Sequence, residues 1–207
     1  MNNRRFLSAL LLGLCLTLGS AAVHAQAATP DTDETNLDTQ LYLIVGTNQD
    51  VVESKLPASL DSVVKQLRAT LPFKNYRLAT TLINRVKNEG RLDLSWMGGL
   101  LVASSASPPN TPTFSQFKVR QVKLVRTTEG QQVVQMQGFN FGARIPIQTS
   151  GAIAANGAVA PVWNYETTGL ATDISVRESE PVIVGTLNVG PSGDAIILVV
   201  SAKRTLK

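Results

Sequence analysis

From residue 27 onward, hydrophobic positions in this chain mostly alternate with polar ones or gather in short runs, a pattern of strands. The segment EPVIVGTLNVGPSGDAIILVVSAKR, Glu180 to Arg204, predicts two strongly apolar strands joined by a Gly-Pro-Ser-Gly-Asp turn. LYLIVGT, Leu41 to Thr47, is a short β-branched run ending at Gly46 and predicts a buried strand. Helical spacing follows it. Leu60, Val63, Val64, Leu67 and Leu71 recur every three or four residues and give one apolar stripe. Pro57 sits where a first helical turn tolerates proline, and Pro72 closes the helix. Tyr76 to Val86, the turn Lys87-Asn88-Glu89-Gly90 and the alternating stretch from Arg91 together predict a hairpin.

Residues 41–103 therefore read strand-helix-strand-strand, a small α/β domain whose helix covers one face of a sheet. Residues 104–113, SSASPPNTPT, contain too few apolar side chains to join a core and read as a Pro/Ser-rich linker. Residues 114–207 predict a β-rich antiparallel domain, so the fold class is α+β. Two irregularities stand out in it. In FKVRQVKLVR, Phe117 to Arg126, the inward parity slips at Gln121, and a second slip between Met136 and Phe139 brackets Gly138; each predicts a bulge or bend. The small-residue run SGAIAANGAVA from Ser150 carries no bulky anchor and predicts a mobile loop.

Three segments of the second half occur in a particular order: ARIPIQTS (Ala143 to Ser150), VWNYETTGLATDISV (Val162 to Val176) and the final hairpin. That order resembles the core of the secretins, the outer-membrane channels of type II and type III secretion and of type IV pili. Pro146 of the Ile-Pro pair, Tyr165 with Gly169, Gly185 in VGTL, and the basic end Lys203-Arg204 match positions of that pattern over about 60 residues of the kind a sheet needs for bends and edges. The resemblance implies backbone roles for these residues and self-association or docking onto a larger channel. The sequence departs from the family too. Only Asn188 to Asp194 separates the last two strands, where family members carry a long gate insert. No lipid-facing lip or aromatic girdle is evident. The implied protein is a reduced core without gate or lip. Small α/β modules upstream of the core are also a secretin habit, and residues 41–103 match them in order alone.

The start of the chain places it. Arg4 and Arg5 precede an apolar run from Phe6 to Leu18, and Val23-His24-Ala25 follows as a small-residue cleavage site before Gln26. Residues 1–25 thus read as a secretory signal peptide, too short in its apolar part to span a bilayer, and the destination is the periplasm or outer membrane. Bulky Leu14 before Cys15 argues against lipidation. Residues 26–40 read as a flexible acidic leader carrying Asp31, Asp33, Glu34 and Asp38.

Cleavage after Ala25 would remove the chain's one cysteine, Cys15, and its one histidine, His24. Without imidazole or thiolate, Ser-His-Asp triads, Cys-His dyads and Cys/His zinc sites are closed to the mature chain. Arg4 and Arg5 leave as well, so the formal net charge of +4 falls by two. With aromatic content of 5%, no basic, stacking face for nucleic acid is formed. Two Ser-x-x-Lys pairs, Ser62/Lys65 and Ser115/Lys118, have the spacing of a serine acyl enzyme, but neither has the companion motifs. Glu178 and Glu180 share a strand parity about 7 Å apart, and their place beside Pro181 reads as solvated turn charge.

The sequence reading is accordingly an exported, non-enzymatic assembly protein without a cofactor, with no catalytic or metal residues, resembling a reduced secretin core. Its partners are itself or a secretion or pilus channel. The alternative is a free-standing periplasmic binding or adhesion module using β-domain loops such as Ser150 to Ala160.

Overall fold

The computed structural model describes residues 35–50, 55–98, 101, 111–153, 159–190 and 193–205; the cleavage site at Ala25 and Gln26 lies outside them. The strands are β1 (Asn36–Thr47), β2 (Asn75–Lys87), β3 (Gly90–Met97), β4 (Phe114–Arg126), β5 (Gln132–Ile153), β6 (Val159–Arg177), β7 (Val182–Val189) and β8 (Asp194–Arg204). A 3-10 turn at Ala58–Leu60 leads into the helix α1 (Asp61–Thr70). The chain is α+β, in the predicted order of strand, helix, two strands and then antiparallel strands.

β1 begins before the expected boundary. Leu37 and Thr39 are buried and Asp38 turns outward to Arg85 at 2.7 Å, so Asn36 to Gln40, read as leader, belong to the sheet. Their alternation is a strand pattern written partly in Asp, Thr and Gln.

The strands form two four-stranded antiparallel sheets, β2-β1-β8-β7 and β3-β4-β5-β6. The β7–β8 hairpin forms as predicted. The β2–β3 hairpin does not: β2 pairs with β1, β3 pairs with β4, and the turn between them is a corner from one sheet to the other. Three hydrogen bonds hold that corner. The Glu89 N–H donates to Val122 O (2.8 Å), the Asn88 N–H to Thr35 O (2.9 Å), and the Leu124 N–H to Asn88 Oδ1 (2.8 Å). Glu89 takes φ 64°, a left-handed conformation that turns the chain sharply. The sheets also cross the expected division at 104–113. β8 lies between β1 and β7, so both halves of the chain build one sheet, and Glu34–Lys207 forms one compact unit.

Two apolar layers result. Leu41, Leu43, Ile196, Leu198 and Val200 face Val134, Met136, Phe117, Phe139 and Phe141 of the other sheet, with the Phe117 and Phe139 rings 5.2 Å apart. On the opposite face of the first sheet, Leu60 of the 3-10 turn and Val63 and Leu67 of α1 cover Tyr42, Ile44, Tyr76, Ile197 and Val199. β8 is therefore buried on both sides from Asp194 to Val200, which explains its unbroken apolar run. α1 ends where the Leu71 N–H closes on Leu67 O, 2.8 Å, just before Pro72.

Both parity slips occur, and they lie opposite each other. Val119 and Val122 are both buried on β4, as are Met136 and Phe139 on β5. The β4–β5 register runs through unchanged from Lys118↔Asn140 to Gln121↔Gln137. The breaks fall instead against the outer strands β3 and β6. The two central strands bend together at this point. Gly138 takes φ 61°, its N–H donating to the Asp173 carboxylate.

Candidate interaction surface

Neither Ser-x-x-Lys pair forms a catalytic arrangement. Ser62 and Lys65 are both exposed on α1. Ser115 is buried between the sheets, whereas Lys118 points to the other face and pairs with Asp93 at 3.1 Å. Glu178 clasps Arg204, whose Nε donates to both carboxylate oxygens at 3.0 and 3.2 Å; this bond holds the Glu178 carboxyl below its ordinary value. Glu180 lies 3.7 Å from Arg177. Among the described residues no cluster of three or more His, Cys, Asp or Glu could hold a metal ion. No described helix is long and apolar enough to cross a membrane, a statement that leaves β-barrels aside.

The residues singled out for backbone roles fall on strands. Pro146 on β5 opposes Tyr165 on β6, and Gly142 opposes Gly169 four residue pairs further along in β6 order. A Cβ on Gly169 would lie 2.7 Å from Phe141 O, and one on Gly185 would lie 2.9 Å from the Leu170 side chain. Gly185 also sits at the β7–β8 register break. Lys203 and Arg204 close β8 against Asp38 and Leu37 of β1.

Two features stand out from this framework. The first is a ribbon. The last β5 residue paired with β4 is Arg144, yet β5 continues to Ile153 paired with β6, roughly 30 Å of two-stranded ribbon at about 3.4 Å per residue. Pro146 lies where β4 no longer flanks β5, a place suited to a residue without an N–H. Part of the run read as a mobile loop belongs to this ribbon: Ser150 to Ile153 pair with Val159 to Val162. Small side chains suffice there because the main chain makes the ladder; residues 154–158 are outside the described set.

The second is a trench on the outer face of β3, β4, β5 and β6. Met97 (70% exposed) and Phe114 (40%) stand around it, and Tyr165 (38%) lies beside Phe114. The Phe114 and Tyr165 rings are 5.9 Å apart, and the Arg144 guanidinium lies 5.4 Å from the Tyr165 ring centroid. The Tyr165 hydroxyl donates to Pro112 O, 3.1 Å. The floor is Gly142, where an added Cβ would meet nothing within 4 Å, and the concavity measures about 510 Å³. Sequence reasoning passed over Met97, Phe114 and Arg144. Phe114 is out of phase with inward Phe117, a signal that becomes readable once the register of β4 is known.

No protein-family model matches this chain, and no curated protein matches it in sequence. Among solved structures it is distantly similar to the secretin-domain β-barrel of InvG from the Salmonella SPI-1 injectisome, with 8% identity and TM-score 0.34 over 84% of this chain and 64% of that one. The InvG secretin in its open gate state gives 10% identity and TM-score 0.35 over 97% of this chain and 66% of that one. The chain thus spans less than two thirds of the first of these proteins. Likeness at this distance carries no weight for function, and the role argued for this chain stands on its own geometry.

Proposed function

We propose that this chain is an exported, non-enzymatic assembly protein that works by strand-edge pairing between subunits. The observation that carries the reading is the β5–β6 ribbon, which runs on past Arg144 with β4 no longer beside it. Such an edge offers main-chain donors and acceptors to another chain, so affinity comes from ladder hydrogen bonds and needs no special side chains. The finer reading follows the sequence: a secretin-like core, part of or accessory to a secretion or pilus machinery, in the periplasm or at the outer membrane. In it, Pro146 interrupts donors along the ribbon, Gly169 and Gly185 permit close strand approach, and Lys203-Arg204 closes the last strand. Cleavage between Ala25 and Gln26 would release the working form.

The test is absolute mass by light scattering on a sizing column, with and without mild detergent. A mass of many subunits in either condition supports the reading. A clean monomer in both overturns it and favours a free-standing binding module.

A further inference from the structure

We propose that the trench on the outer face of β3, β4, β5 and β6 binds a free amphiphilic anion, a long-chain carboxylate whose apolar chain lies over Gly142 and whose head group meets Arg144. This goes beyond the assembly role, which uses strand edges and not this sheet face.

Gly142 is the first observation, because the fold does not require a glycine there. Its φ is not left-handed. The register runs through it without a break on both sides, Gln116↔Gly142 against β4 and Gly142↔Gly169 against β6, so it marks no bulge. An added Cβ would meet nothing within 4 Å, whereas one on the facing Gly169 would lie 2.7 Å from Phe141 O. Glycine in a strand interior weakens the strand. Where neither a bend nor a close protein neighbour accounts for it, the missing side chain leaves room for a ligand. The room is a concavity of about 510 Å³, within the range of small-molecule sites, and Met97 and Phe114 supply its apolar walls.

Charge decides the head group. Among the described residues Arg144 is the one charged residue lining the trench. Asp93, on the same sheet face, is held by Lys118 at 3.1 Å, and Glu166 opposes buried Ile145, which puts it on the other face. No carboxylate therefore competes for Arg144. The guanidinium is also braced: it lies over the Tyr165 ring, 5.4 Å from the centroid, and the Tyr165 hydroxyl is tied to Pro112 O at 3.1 Å. A guanidinium over a ring uses its flat face and keeps N–H groups for an anion. Arg144 lies two residues along β5 from Gly142, about 7 Å at strand rise, so one molecule reaches both. An aliphatic chain suits this floor better than a peptide does. The β4, β5 and β6 main chains beneath it are already paired with one another, so a peptide's own N–H and C=O groups would find few partners there, whereas an acyl chain has none to satisfy.

The test is isothermal titration calorimetry of the full chain with laurate, kept below its micelle concentration, beside two variants whose folding is confirmed by thermal melts. Laurate should bind saturably. Gly142→Leu, which fills the trench, should weaken binding about tenfold or more. Arg144→Gln, at an exposed position, should weaken it roughly fivefold, the scale of a solvent-exposed ion pair. Dodecyltrimethylammonium, the same chain with a cationic head, should bind about tenfold more weakly than laurate. The proposal is overturned if laurate does not bind saturably, if Gly142→Leu binds it like the unmodified chain, or if the cationic amphiphile matches it. Flotation with vesicles of anionic phospholipid, by a protein that takes up no laurate, overturns it in favour of a membrane surface.

Discussion

Adjacent residues of β8 should be equally costly to truncate, although they serve different layers. Ile197 is wholly buried beneath α1, in the cluster with Leu60, Val63 and Leu67. Leu198 is equally buried but faces Phe117, Phe139 and Phe141 across the sandwich. Truncating a fully buried Ile or Leu to Ala typically costs about 2–5 kcal/mol, the lost transfer energy plus the cavity left behind. With a urea m-value of about 2 kcal/mol per molar, each variant should shift the unfolding midpoint down by roughly 1–2.5 M with little change in slope. Circular dichroism during urea titration reads both quantities. Ile197→Asp goes further, because an unpaired carboxylate in that dry layer costs several kcal/mol against a total stability of about 5–15; it should not yield a native fold. A strand covered on one face would give a large loss at one position and a small one at the other. If Ile197→Ala or Leu198→Ala loses less than about 0.5 kcal/mol, as surface changes do, the three-layer arrangement around β8 is refuted. A cooperative melt of soluble Ile197→Asp would refute it as well.

Three further outcomes follow from particular contacts. Gly138→Ala forces a left-handed φ of 61° on a residue with a Cβ, 3.0 Å from the Arg120 Cβ, and should lower stability by about 1–2 kcal/mol in the same urea assay. Gly46→Ala should also destabilise, since its Cβ would lie 2.6 Å from the Phe73 ring, and Gly46→Ala with Phe73→Leu should recover part of the loss; additive losses would contradict that contact. Glu178 and Asp38 are held below the ordinary values of 4.5 and 3.8 by hydrogen bonds from Arg204 and Arg85. Because both folded-state values are depressed, their stabilisation is full above the unfolded values and is lost as pH falls through the folded ones. Thermal melts should therefore decline on acidification below about pH 4.5, with a shallower decline in Glu178→Gln; an unchanged slope would show that the clasp contributes nothing.

What could be read from the sequence divides by physical kind. Burial and period are local. Leu60, Val63 and Leu67 announced the helix, the unbroken run from Ala195 to Val200 announced a strongly apolar strand, and the slips at Gln121 and Gly138 announced bends. Pairing is not local. Alternation tells which face of a strand is wet, but not which strand lies beside it, so β2 and β3 read as a hairpin when each pairs elsewhere. The placement of β8 between β1 and β7 left no mark near residues 104–113, where composition suggested a boundary.

The ribbon and the trench were hidden for opposite reasons. The ribbon from Ser150 to Ile153 is made by main-chain hydrogen bonds, and small side chains neither favour nor forbid a ladder, so their composition resembled a loop. The trench consists of large side chains whose outward direction depends on register: Phe114 and Phe117 are equally apolar in sequence, yet one is 40% exposed and the other 1%. An exposed Phe beside an exposed Met, with a glycine floor between neighbouring strands, exists only once β3, β4 and β5 are aligned.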